Sequence, residues 1–330
     1  MNIAVIGGSG FIGTRLCKNF QSSGNNNFEI LDKKLSKFYP EKTHEVDVCS
    51  LEHLNAAVSN CDVLINLAAE HRDDVSPRTL YDDVNVGGAK NLCIVARKKN
   101  IKKIIFTSSV AIYGFAPLGT NESGNVLPFN DYGRTKWEAE QIYKDWQEED
   151  PLNRTLVIVR PTVVFGERNR GNVFNLLRQI ASGKFIMISN GKNRKSMAYV
   201  DNVAAFLEFS LSFKPGVHIY NYIDKPDFTM NKLVLHVNEL LGRSGEIKFR
   251  LPFFIGLSIG HFFDFAAKVS GKKFPISAIR VKKFCANSIY ESAVESTGFV
   301  PPVPLLIAIE NTIRYEFIED HKLEQVFYSE

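Results

Sequence analysis

Two side chains one helical turn apart could carry proton chemistry. Tyr132 and Lys136 lie in a helical pattern that runs to Glu149, and positions i and i+4 share a helix face. The ordinary pKa of a tyrosine is about 10, so the phenol is a poor base at neutral pH, and a nearby ammonium group favours the phenolate. The run Thr107-Ser108-Ser109 adds hydroxyls that could bond the same substrate oxygen. Together these residues predict a site that removes the hydrogen of a substrate hydroxyl.

A glycine-rich turn near the start of the chain predicts a phosphate-binding site. Gly7, Gly10 and Gly13 fall between an apolar run at 3–6 and a helical pattern at 11–23. Gly7 permits a tight turn, Gly10 lets the backbone approach a pyrophosphate, and Gly13 lets helix and strand pack closely. The free N–H groups and partial positive charge of the helix N-terminus would face the phosphates. This arrangement favours a dinucleotide as the ligand.

The charges at the end of the second predicted strand bear on which dinucleotide binds. Asp32 ends that strand, where a carboxylate can bond both ribose hydroxyls and repels a 2′-phosphate, which favours NAD over NADP. Lys33 and Lys34 follow immediately and could reach a 2′-phosphate, so they weaken this preference. NAD is the predicted cofactor. Its positive nicotinamide ring would add to Lys136 in favouring the phenolate of Tyr132, and a shift of three pKa units is worth about 4 kcal/mol.

Two further strand ends suit the same ligand. At the third, a carboxylate can accept from the adenine amine and an apolar side chain can pack on the ring, while small residues at the fourth leave room for the dinucleotide. These positions are Asp47 and Val48 at the third strand end, and Leu67, Ala68 and Ala69 at the fourth.

The alternation of short apolar runs with longer amphipathic ones predicts an α/β fold. Strands are expected at 3–6, 28–31, 63–67, 104–106 and 156–159, and helices at 11–23, 51–59, 80–100 and 132–149. Such units build a Rossmann-type doubly wound parallel sheet covered by helices on both faces. After about residue 166 the pattern changes to helices at 173–181, 230–241 and 304–317 with short strands at 185–187 and 217–222. We therefore expect an NAD-binding domain at 1–165 with a returning segment near 199–211, and a smaller α+β substrate domain at 166–330.

Composition narrows the class of protein. The chain has 330 residues with 45% hydrophobic residues, 23% charged residues and a net charge of +4, which is ordinary for a globular protein and too weakly basic to favour nucleic acid. Five scattered cysteines show no paired or metal-ligand spacing, so a zinc site and a disulfide framework are disfavoured and a reducing cytoplasm is expected. The N-terminus does not have the pattern of a signal peptide.

The most apolar stretch covers residues 251–267. It contains Pro252, His261 and Asp264 and falls short of the roughly 20 apolar residues that a spanning helix needs. The interpretation favoured by the sequence is a helix packed against the domain or a partner, with peripheral membrane contact as the alternative. No firm membrane segment is predicted.

With these motifs in place, the chain resembles the extended short-chain dehydrogenase/reductase family, and most nearly its nucleotide-sugar epimerases of the UDP-glucose 4-epimerase kind. The resemblance covers essentially the whole chain, best to about Asp201. It implies that Tyr132 is the catalytic base, that Lys136 binds the nicotinamide ribose, and that Ser109 is the catalytic serine. The cofactor contacts that it implies are Gly7, Gly10, Phe11, Ile12, Gly13, Asp32, Asp47, Val48, Leu67, Ala68, Ala69, Asn85, Thr107, Tyr132, Lys136 and Pro161.

The same resemblance implies a binding site for a nucleotide diphosphate, with UDP as the expected nucleotide. Asn172-Val173 resembles the pair whose amide and backbone touch the diphosphate, and Lys195 stands where relatives usually carry an arginine. Lysine keeps the charge but lacks the bidentate fork, and the neighbouring Arg194 could substitute. Arg168 and Arg170 are expected to add positive charge, with solvated loop charges as the alternative. Relatives commonly form homodimers through the helices placed here at 80–100 and 132–149.

Four reactions are known on this scaffold, and the residues after Ser109 separate them by resemblance. Dehydratases carry acidic residues just after the catalytic hydroxyl, and sugar-acid decarboxylases carry a glutamate one position later. Here Val110 and Ala111 occupy those positions, so both reactions are disfavoured. A nucleotide-sugar 4-epimerase working through a transient 4-keto sugar is the first hypothesis, for a UDP-hexose or a UDP-N-acetylhexosamine.

Other functions stay open at this point. An NAD(P)-dependent 4-dehydrogenase or 4-keto reductase is the main alternative, with Lys33 and Lys34 as mild support. A dinucleotide-sensing regulatory protein is disfavoured because both Tyr132 and Lys136 are present. A sterol-type or flavonoid-type dehydrogenase that uses the apolar stretch 251–267 is a further minor possibility.

Overall fold

The computed structural model describes residues 1–72, 75–244, 247, 249–271, 274, 277–321 and 325–328. Within these residues the strands are β1 (Asn2–Ile6), β2 (Asn27–Asp32), β3 (Thr43–Glu45), β4 (Val63–Asn66), β5 (Lys103–Thr107), β6 (Thr155–Pro161), β7 (Val163–Phe165), β8 (Met187–Ile188), β9 (Arg194–Tyr199), β10 (Gly216–Tyr222), β11 (Asp224–Thr229) and β12 (Arg250–Leu251).

The helices of the same residues complete the layers. They are α1 (Phe11–Ser23), α2 (Leu51–Ala57), α3 (Thr79–Tyr81), α4 (Gly88–Lys98), α5 (Asp131–Glu148), α6 (Asn172–Ala181), α7 (Val200–Phe209), α8 (Met230–Leu240), α9 (Phe253–Ser270), α10 (Ala278–Cys285) and α11 (Leu305–Ile313). A π-helical turn, Asp82–Gly87, joins α3 to α4, so the helix expected at 80–100 has an irregular first part.

Seven strands form the central sheet, in the order β10, β6, β5, β4, β1, β2, β3. Every neighbouring pair is parallel. From β1 the chain adds strands toward one edge of the sheet, and from β4 it adds them toward the other edge. The loops after β1 and β4 therefore diverge and leave a crevice at the carboxyl ends of these two strands. The predicted Rossmann-type parallel sheet is confirmed.

Two apolar layers cover this sheet. Leu16 and Phe20 of α1 and Phe206 of α7 pack on one face of the sheet. Leu92 of α4 and Tyr143 of α5 are buried on the other face. The strands are buried on both sides, which explains why their sequences are continuous apolar runs without polar alternation.

The second half of the chain contributes to both parts of the fold. Leu177 of α6, Val234 of α8 and Ile309 of α11 form a separate apolar core. The returning segment is longer than the expected 199–211, because α7 covers α1 and β10 then pairs with β6 in the main sheet. The sequence placed the strand at 217–222 in the smaller domain, and that placement is wrong.

The apolar stretch at 251–267 forms the helix α9, but its packing differs from the expectation. By length and composition α9 could cross a membrane, and only 11% of its residues are buried. Its buried residues are Gly256 and Gly260. The helix packs on the rest of the protein through this glycine face, and its large apolar side chains are left exposed.

Candidate active site

A cleft of about 590 Å³ opens at the carboxyl ends of the parallel strands, on both sides of the crevice between β1 and β4. Most residues that the sequence singled out come together there. They are Gly7, Gly10, Phe11, Ile12, Gly13, Asp32, Asp47, Val48, Leu67, Ala68, Ala69, Thr107, Ser109, Tyr132, Lys136 and Asn172.

The glycine turn is built so closely that side chains are excluded. Gly7 has φ +77°, and a Cβ atom there would lie 2.6 Å from the backbone nitrogen of Ala68. A Cβ atom at Gly13 would lie 2.5 Å from the Cα atom of Gly8. Gly10 precedes α1 without a side-chain cap, so the first N–H groups of this helix remain free to bind an anion in the cleft.

Asp32 closes the end of the cleft where a ribose would bind. Its carboxylate accepts hydrogen bonds from the backbone N–H groups of Ser9, at 3.0 Å, and Lys34, at 3.1 Å. Burial raises the pKa of Asp32, and these two backbone bonds and the neighbouring Lys33 oppose the shift. Lys33 lines the cleft beside it, so a basic residue does lie near the expected position of the ribose.

The helix that carries the tyrosine is held firmly at its start. Asn130 caps α5 by accepting a hydrogen bond from the backbone N–H of Gly133 at 2.9 Å. Four residues after Tyr132, the ammonium group of Lys136 donates to the backbone carbonyl of Thr107 at 2.8 Å. The same ammonium nitrogen lies 6.0 Å from the centre of the Tyr132 ring. The pair predicted from the i, i+4 spacing therefore does point into one cleft.

Ser109 joins Tyr132 from the strand side. Both residues line the cleft, and the nearby Ser109 hydroxyl acts to lower the pKa of the Tyr132 phenol. The backbone N–H of Ala111 donates to the Ser109 oxygen at 3.1 Å and fixes its position. A substrate oxygen placed beside the phenol could therefore contact both hydroxyl groups.

The pKa of Tyr132 differs from the expectation. Burial raises it to about 12, and the neighbouring Ser109 hydroxyl opposes the shift. Burial also lowers the pKa of Lys136 to about 7, against the opposing effect of Glu140. The expected lowering of the tyrosine pKa by the lysine is thus not a property of the polypeptide alone, since desolvation acts more strongly on both groups. A further positive charge in the cleft is needed to ionise the phenol at neutral pH.

The cleft fits a dinucleotide on grounds independent of the glycine motif. The hydroxyl oxygens of Thr107 and Ser108 are buried and have no hydrogen-bond partner in the described part of the chain. Both residues line the cleft at the end of β5. Buried hydroxyl groups without a partner are costly, so these two indicate a polar ligand that is bound in the working enzyme.

Asn85, Pro161 and Val173 were predicted to contact the cofactor or the substrate, and they lie outside the cleft. Asn85 is buried; its amide oxygen accepts from the N–H of Glu70 at 2.9 Å and its amide nitrogen donates to Thr135 at 2.9 Å. It therefore connects the loop after β4 to α5, which is a positioning role. Pro161 is buried at the end of β6, and Val173 is buried in the second core. None of these three residues lines the cleft, and the ligand contact expected of them stays a prediction.

The basic residues expected to bind phosphate point elsewhere. The Arg168 guanidinium donates to the Tyr315 hydroxyl at 3.1 Å, and Arg170 forms an ion pair with Glu316 at 2.8 Å. Lys195 donates to the backbone carbonyl of Lys283 at 2.6 Å, and burial lowers its pKa to about 8. None of the three lines the cleft, and their contact with a phosphate group stays a prediction.

Arg194 and Asn172 are the other two residues that the sequence associated with the diphosphate. Arg194 is exposed next to Lys195 and does not line the cleft. Asn172 begins α6 and does line the cleft, so it keeps the predicted position near a diphosphate.

Some cleft residues were not foreseen from the sequence. Thr162 and Val164 follow β6 directly, and the strand-end rule that selected the residues after β4 would have found them. His71, in the loop after β4, also lines the cleft, and burial lowers its pKa. Phe129 and Tyr290 reach the cleft from loops, and no local signal marks them.

A parallel sheet of this order, with a glycine turn and a Tyr-Lys pair at its carboxyl end, defines a dinucleotide-dependent enzyme that acts on carbon–oxygen bonds. The model of the NAD-dependent epimerase/dehydratase family matches residues 3–222. The chain is 46% identical to an N-acetyl-alpha-D-glucosaminyl-diphospho-ditrans,octacis-undecaprenol 4-epimerase of Escherichia coli, over all of this chain and 99% of that protein. It is 27% identical to a UDP-glucose 4-epimerase of Vibrio cholerae over 61% of this chain and 64% of that protein.

Solved structures with the same fold include several NAD complexes. The UDP-glucuronic acid 4-epimerase of Bacillus cereus in complex with NAD has a TM-score of 0.72 at 18% identity, covering 96% of this chain and 98% of that chain. The UDP-N-acetylglucosamine 4-epimerase of Methanobrevibacter ruminantium has a TM-score of 0.74 at 20% identity, covering 95% and 97%. At this identity the structural likeness shows the fold.

The chain belongs to the NAD-dependent epimerase/dehydratase family. It is an NAD-dependent enzyme of the epimerase class, and the predicted cofactor is confirmed.

Proposed function

We propose that this protein is a 4-epimerase of an N-acetylhexosamine joined through a diphosphate to a polyprenol. The observation that carries the 4-epimerase chemistry is the convergence of Ser109, Tyr132 and Lys136 on one side of the NAD cleft. The carrier lipid is supported by the relative that matches along the full length at 46% identity, whose substrate is an undecaprenyl diphosphate sugar. That relative leads us to propose a lipid in place of the UDP expected from the sequence.

The side chains of the cleft account for proton movement at the sugar. The phenol of Tyr132, ionised when positive charge is bound beside it, takes the proton of the C4 hydroxyl group. Ser109, held by the N–H of Ala111, donates to the same oxygen and stabilises it as it becomes a carbonyl. Bound NAD supplies the capacity to accept a hydride from the sugar and to return it. The epimer would form when the transient 4-keto sugar has turned its other face to the bound cofactor, so that the hydride is regained at C4 from the opposite side. Tyr132 returns the proton to the C4 oxygen.

The diphosphate would lie at the far side of the cleft. Asn172 lines the cleft at the first position of α6, a helix of 10 residues whose preceding Gly171 leaves its N-terminal N–H groups without a side-chain cap. Such a helix start attracts an anion through its free N–H groups and its dipole. This site uses no feature of a nucleoside base, and a prenyl diphosphate satisfies it as well as UDP does.

Two alternatives remain as outcomes of one experiment. A UDP-linked sugar is the substrate expected from the resemblance, and a 4-keto reductase using NADPH is supported by the position of Lys33 in the cleft beside Asp32. The purified full-length enzyme is incubated, without added cofactor, with GlcNAc-diphospho-undecaprenol in detergent and separately with UDP-GlcNAc. The sugar released by mild acid is then separated into GlcNAc and its C4 epimer, GalNAc.

Conversion of the lipid-linked sugar, and its loss in the Tyr132→Phe variant, is the expected result. Conversion of UDP-GlcNAc alone would show that the proposed carrier is wrong and the UDP prediction right. Conversion of neither compound, together with oxidation of NADH or NADPH by a 4-keto sugar, would identify the reductase.

We also propose a cytoplasmic location and a homodimer. All five cysteines carry free thiols, which suits a reducing compartment. The dimer is proposed to form through α4 and α5, which lie side by side with an ion pair between Arg97 and Glu149 and with Ile94 exposed on α4.

A further inference from the structure

The helix α9 has an inverted arrangement of small and large residues. Gly256 and Gly260 face the protein so closely that Cβ atoms there would lie 2.9 Å from Ile188 and 2.7 Å from Ala278. In contrast, Phe254, Phe262 and other bulky residues of α9 face outward. A helix that packs only on its own domain normally buries its large apolar side chains. The arrangement of α9 therefore indicates that its outer face is covered by something other than this chain.

The outward residues form one continuous stripe. Phe254, Phe262, Phe265 and Val269 recur at helical spacing and are between 67% and 72% exposed. Ser258 lies within the stripe, and its hydroxyl donates to the backbone carbonyl of Phe254, so it adds no unsatisfied donor. At about 1.5 Å per residue, the 18 residues of α9 make a stripe of roughly 27 Å. We call these four large residues the α9 stripe.

Neighbouring elements enlarge the apolar surface. The pairing of β12 with β8 places Arg250 opposite Met187. The residues just before these partners, Phe249 and Ile186, are both exposed, and so is Ile279 of α10, which packs along α9. Exposed apolar surface of this extent marks an interaction site.

The basic residues near the α9 stripe favour an anionic partner. Residues 250–290 of the sequence carry seven lysines and arginines against a single acidic residue, Asp264. Asp264 is bonded to the backbone N–H of Ala278 at 3.1 Å. Because the whole chain has a net charge of only +4, the rest of the chain is net negative, and positive charge is concentrated in this segment of the sequence. Apolar side chains bordered by Lys268 and Lys282, both exposed, match the surface of an anionic phospholipid bilayer.

We propose that α9 and α10 dock the enzyme on the surface of an anionic bilayer, with the α9 stripe inserted among the lipid head groups. The helix lies on the membrane and does not span it, because both ends are tied to one side of the protein. β12 pairs with β8 just before α9, and α10 packs against Gly260 after it. The resulting geometry is that of an interfacial amphipathic helix.

This docking surface adjoins the sugar end of the cleft. The ammonium group of Lys283 in α10 lies 4.7 Å from the centre of the Phe129 ring. Phe129 lines the cleft three residues before Tyr132. A bilayer beneath α9 would therefore present a membrane-embedded prenyl diphosphate next to the catalytic residues. The role in substrate delivery rests on the proposed function, whereas bilayer binding itself does not.

Flotation of the full-length protein with vesicles tests the docking surface. The vesicles contain phosphatidylglycerol and phosphatidylethanolamine, and phosphatidylcholine vesicles serve for comparison. We expect binding to the anionic vesicles, reduced by about tenfold or more when Phe262→Ser and Phe265→Ser are combined. The matched control combines Leu152→Ser with Val300→Ser, which replaces two even more exposed apolar residues outside α9 and should leave binding unchanged.

The electrostatic part is tested in the same assay. Lys268→Gln combined with Lys282→Gln should weaken binding to anionic vesicles by about tenfold or more. The control is Lys98→Gln combined with Lys99→Gln, an exposed pair at the end of α4. Circular dichroism and NAD binding establish that each variant is folded.

Each outcome decides the inference. A wild-type protein that stays unbound, or a control pair that lowers binding as much as the stripe variant, overturns it. So does a dimer that becomes a monomer on changing Phe262 and Phe265 while vesicle binding is unaffected, because a second copy would then cover the stripe. Turnover of the lipid-linked sugar in detergent without vesicle binding overturns only the docking surface, and vesicle binding with turnover of UDP-sugars alone overturns only the proposed substrate.

Discussion

The ammonium group of Lys136 donates a hydrogen bond to the backbone carbonyl of Thr107, 2.8 Å away, and so ties α5 to the end of β5. The lysine is 2% exposed, and its ammonium nitrogen lies 4.7 Å from the centre of the Phe106 ring. One carbonyl and one aromatic face replace the water that a lysine normally keeps. The ammonium group is therefore fixed beside the cofactor cleft, and the loss of water around it lowers the pKa of Lys136.

The first prediction is a pH-dependent contribution of Lys136 to stability. The pKa of Lys136 falls from 10.5 to about 7 on folding, so between these values the unfolded chain binds a proton that the folded chain does not. The free energy of unfolding should therefore rise with pH in this window. Below about pH 7 the folded and unfolded chains both bind the proton, and Lys136 adds no further dependence on pH. In NAD-free protein, Lys136→Met should flatten the slope by about 1 kcal/mol per pH unit between pH 7.5 and 8.5.

Urea denaturation at a series of pH values measures this slope. Groups such as Lys195 titrate equally in both proteins, so the difference between the two curves isolates Lys136. Lys98→Met, a change of an exposed lysine, is the control and should leave the slope as in the wild type. Parallel curves for the wild type and Lys136→Met would show that the ammonium group is not desolvated.

The second prediction concerns the phenol of Tyr132. Tyr132→Phe removes the group that exchanges a proton with the sugar and keeps the ring, so kcat should fall by about 10²- to 10⁴-fold. NAD binding, measured by titration calorimetry, should change little. Tyr220→Phe, a change of a half-buried tyrosine in β10, should retain full activity. An unchanged kcat in Tyr132→Phe would remove this residue from the chemistry.

The sequence was sufficient for most of the fold because each signal was local. The apolar runs of β1 and β2 and the left-handed Gly24 that ends α1 are all readable from a few neighbouring residues. The position of β10 in the sheet could not be predicted from neighbouring residues. Its parallel partner β6 lies far away in the chain, and only the packing of α7 on α1 brings β10 back to the sheet.

The site shows the same division between local and distant effects. Strand ends and helix spacing located Asp32, Ser109 and Tyr132, since they depend on elements that the sequence defines. The sequence did not show that the loop of Arg168, with φ +71° at that residue, turns toward Glu316 near the end of the chain. The depth at which Lys136 is buried depends on the whole fold, so the direction of its pKa shift could not be obtained from spacing.

The third prediction concerns selection of the dinucleotide. Asp32→Asn removes the charge that repels a 2′-phosphate but retains an oxygen that can accept from the N–H of Ser9. With Lys33 in the cleft beside it, the affinity for NADP relative to NAD should rise by about tenfold. Titration calorimetry with each nucleotide measures the ratio. Glu52→Gln, an exposed carboxylate in α2, is the control, and an unaltered ratio in Asp32→Asn would assign the preference elsewhere.

The fourth prediction compares a buried ion pair with an exposed one. Glu140 of α5 binds Arg160 of β6 at 2.6 Å with both side chains almost fully buried. Glu140→Gln leaves the Arg160 charge without its partner and should cost about 3 kcal/mol of unfolding free energy. The Arg97–Glu149 pair is about 40% exposed, so Glu149→Gln should cost at most about 1 kcal/mol. Urea denaturation distinguishes them, and equal costs would contradict the role of burial.

The fifth prediction follows the hydrogen at the reacting carbon. Tyr132 and Ser109 exchange protons with oxygen, and solvent reaches these groups between turnovers, whereas the C4 hydrogen would pass to the cofactor and back within a closed cleft. Epimerisation in D₂O should therefore yield product without deuterium at C4, as judged by mass spectrometry and NMR of the released sugar. A mechanism in which a base removes the C4 hydrogen as a proton would instead incorporate solvent deuterium at that carbon. Such incorporation would exclude the transient 4-keto sugar, and with it the assignment of Tyr132 to the oxygen of the substrate.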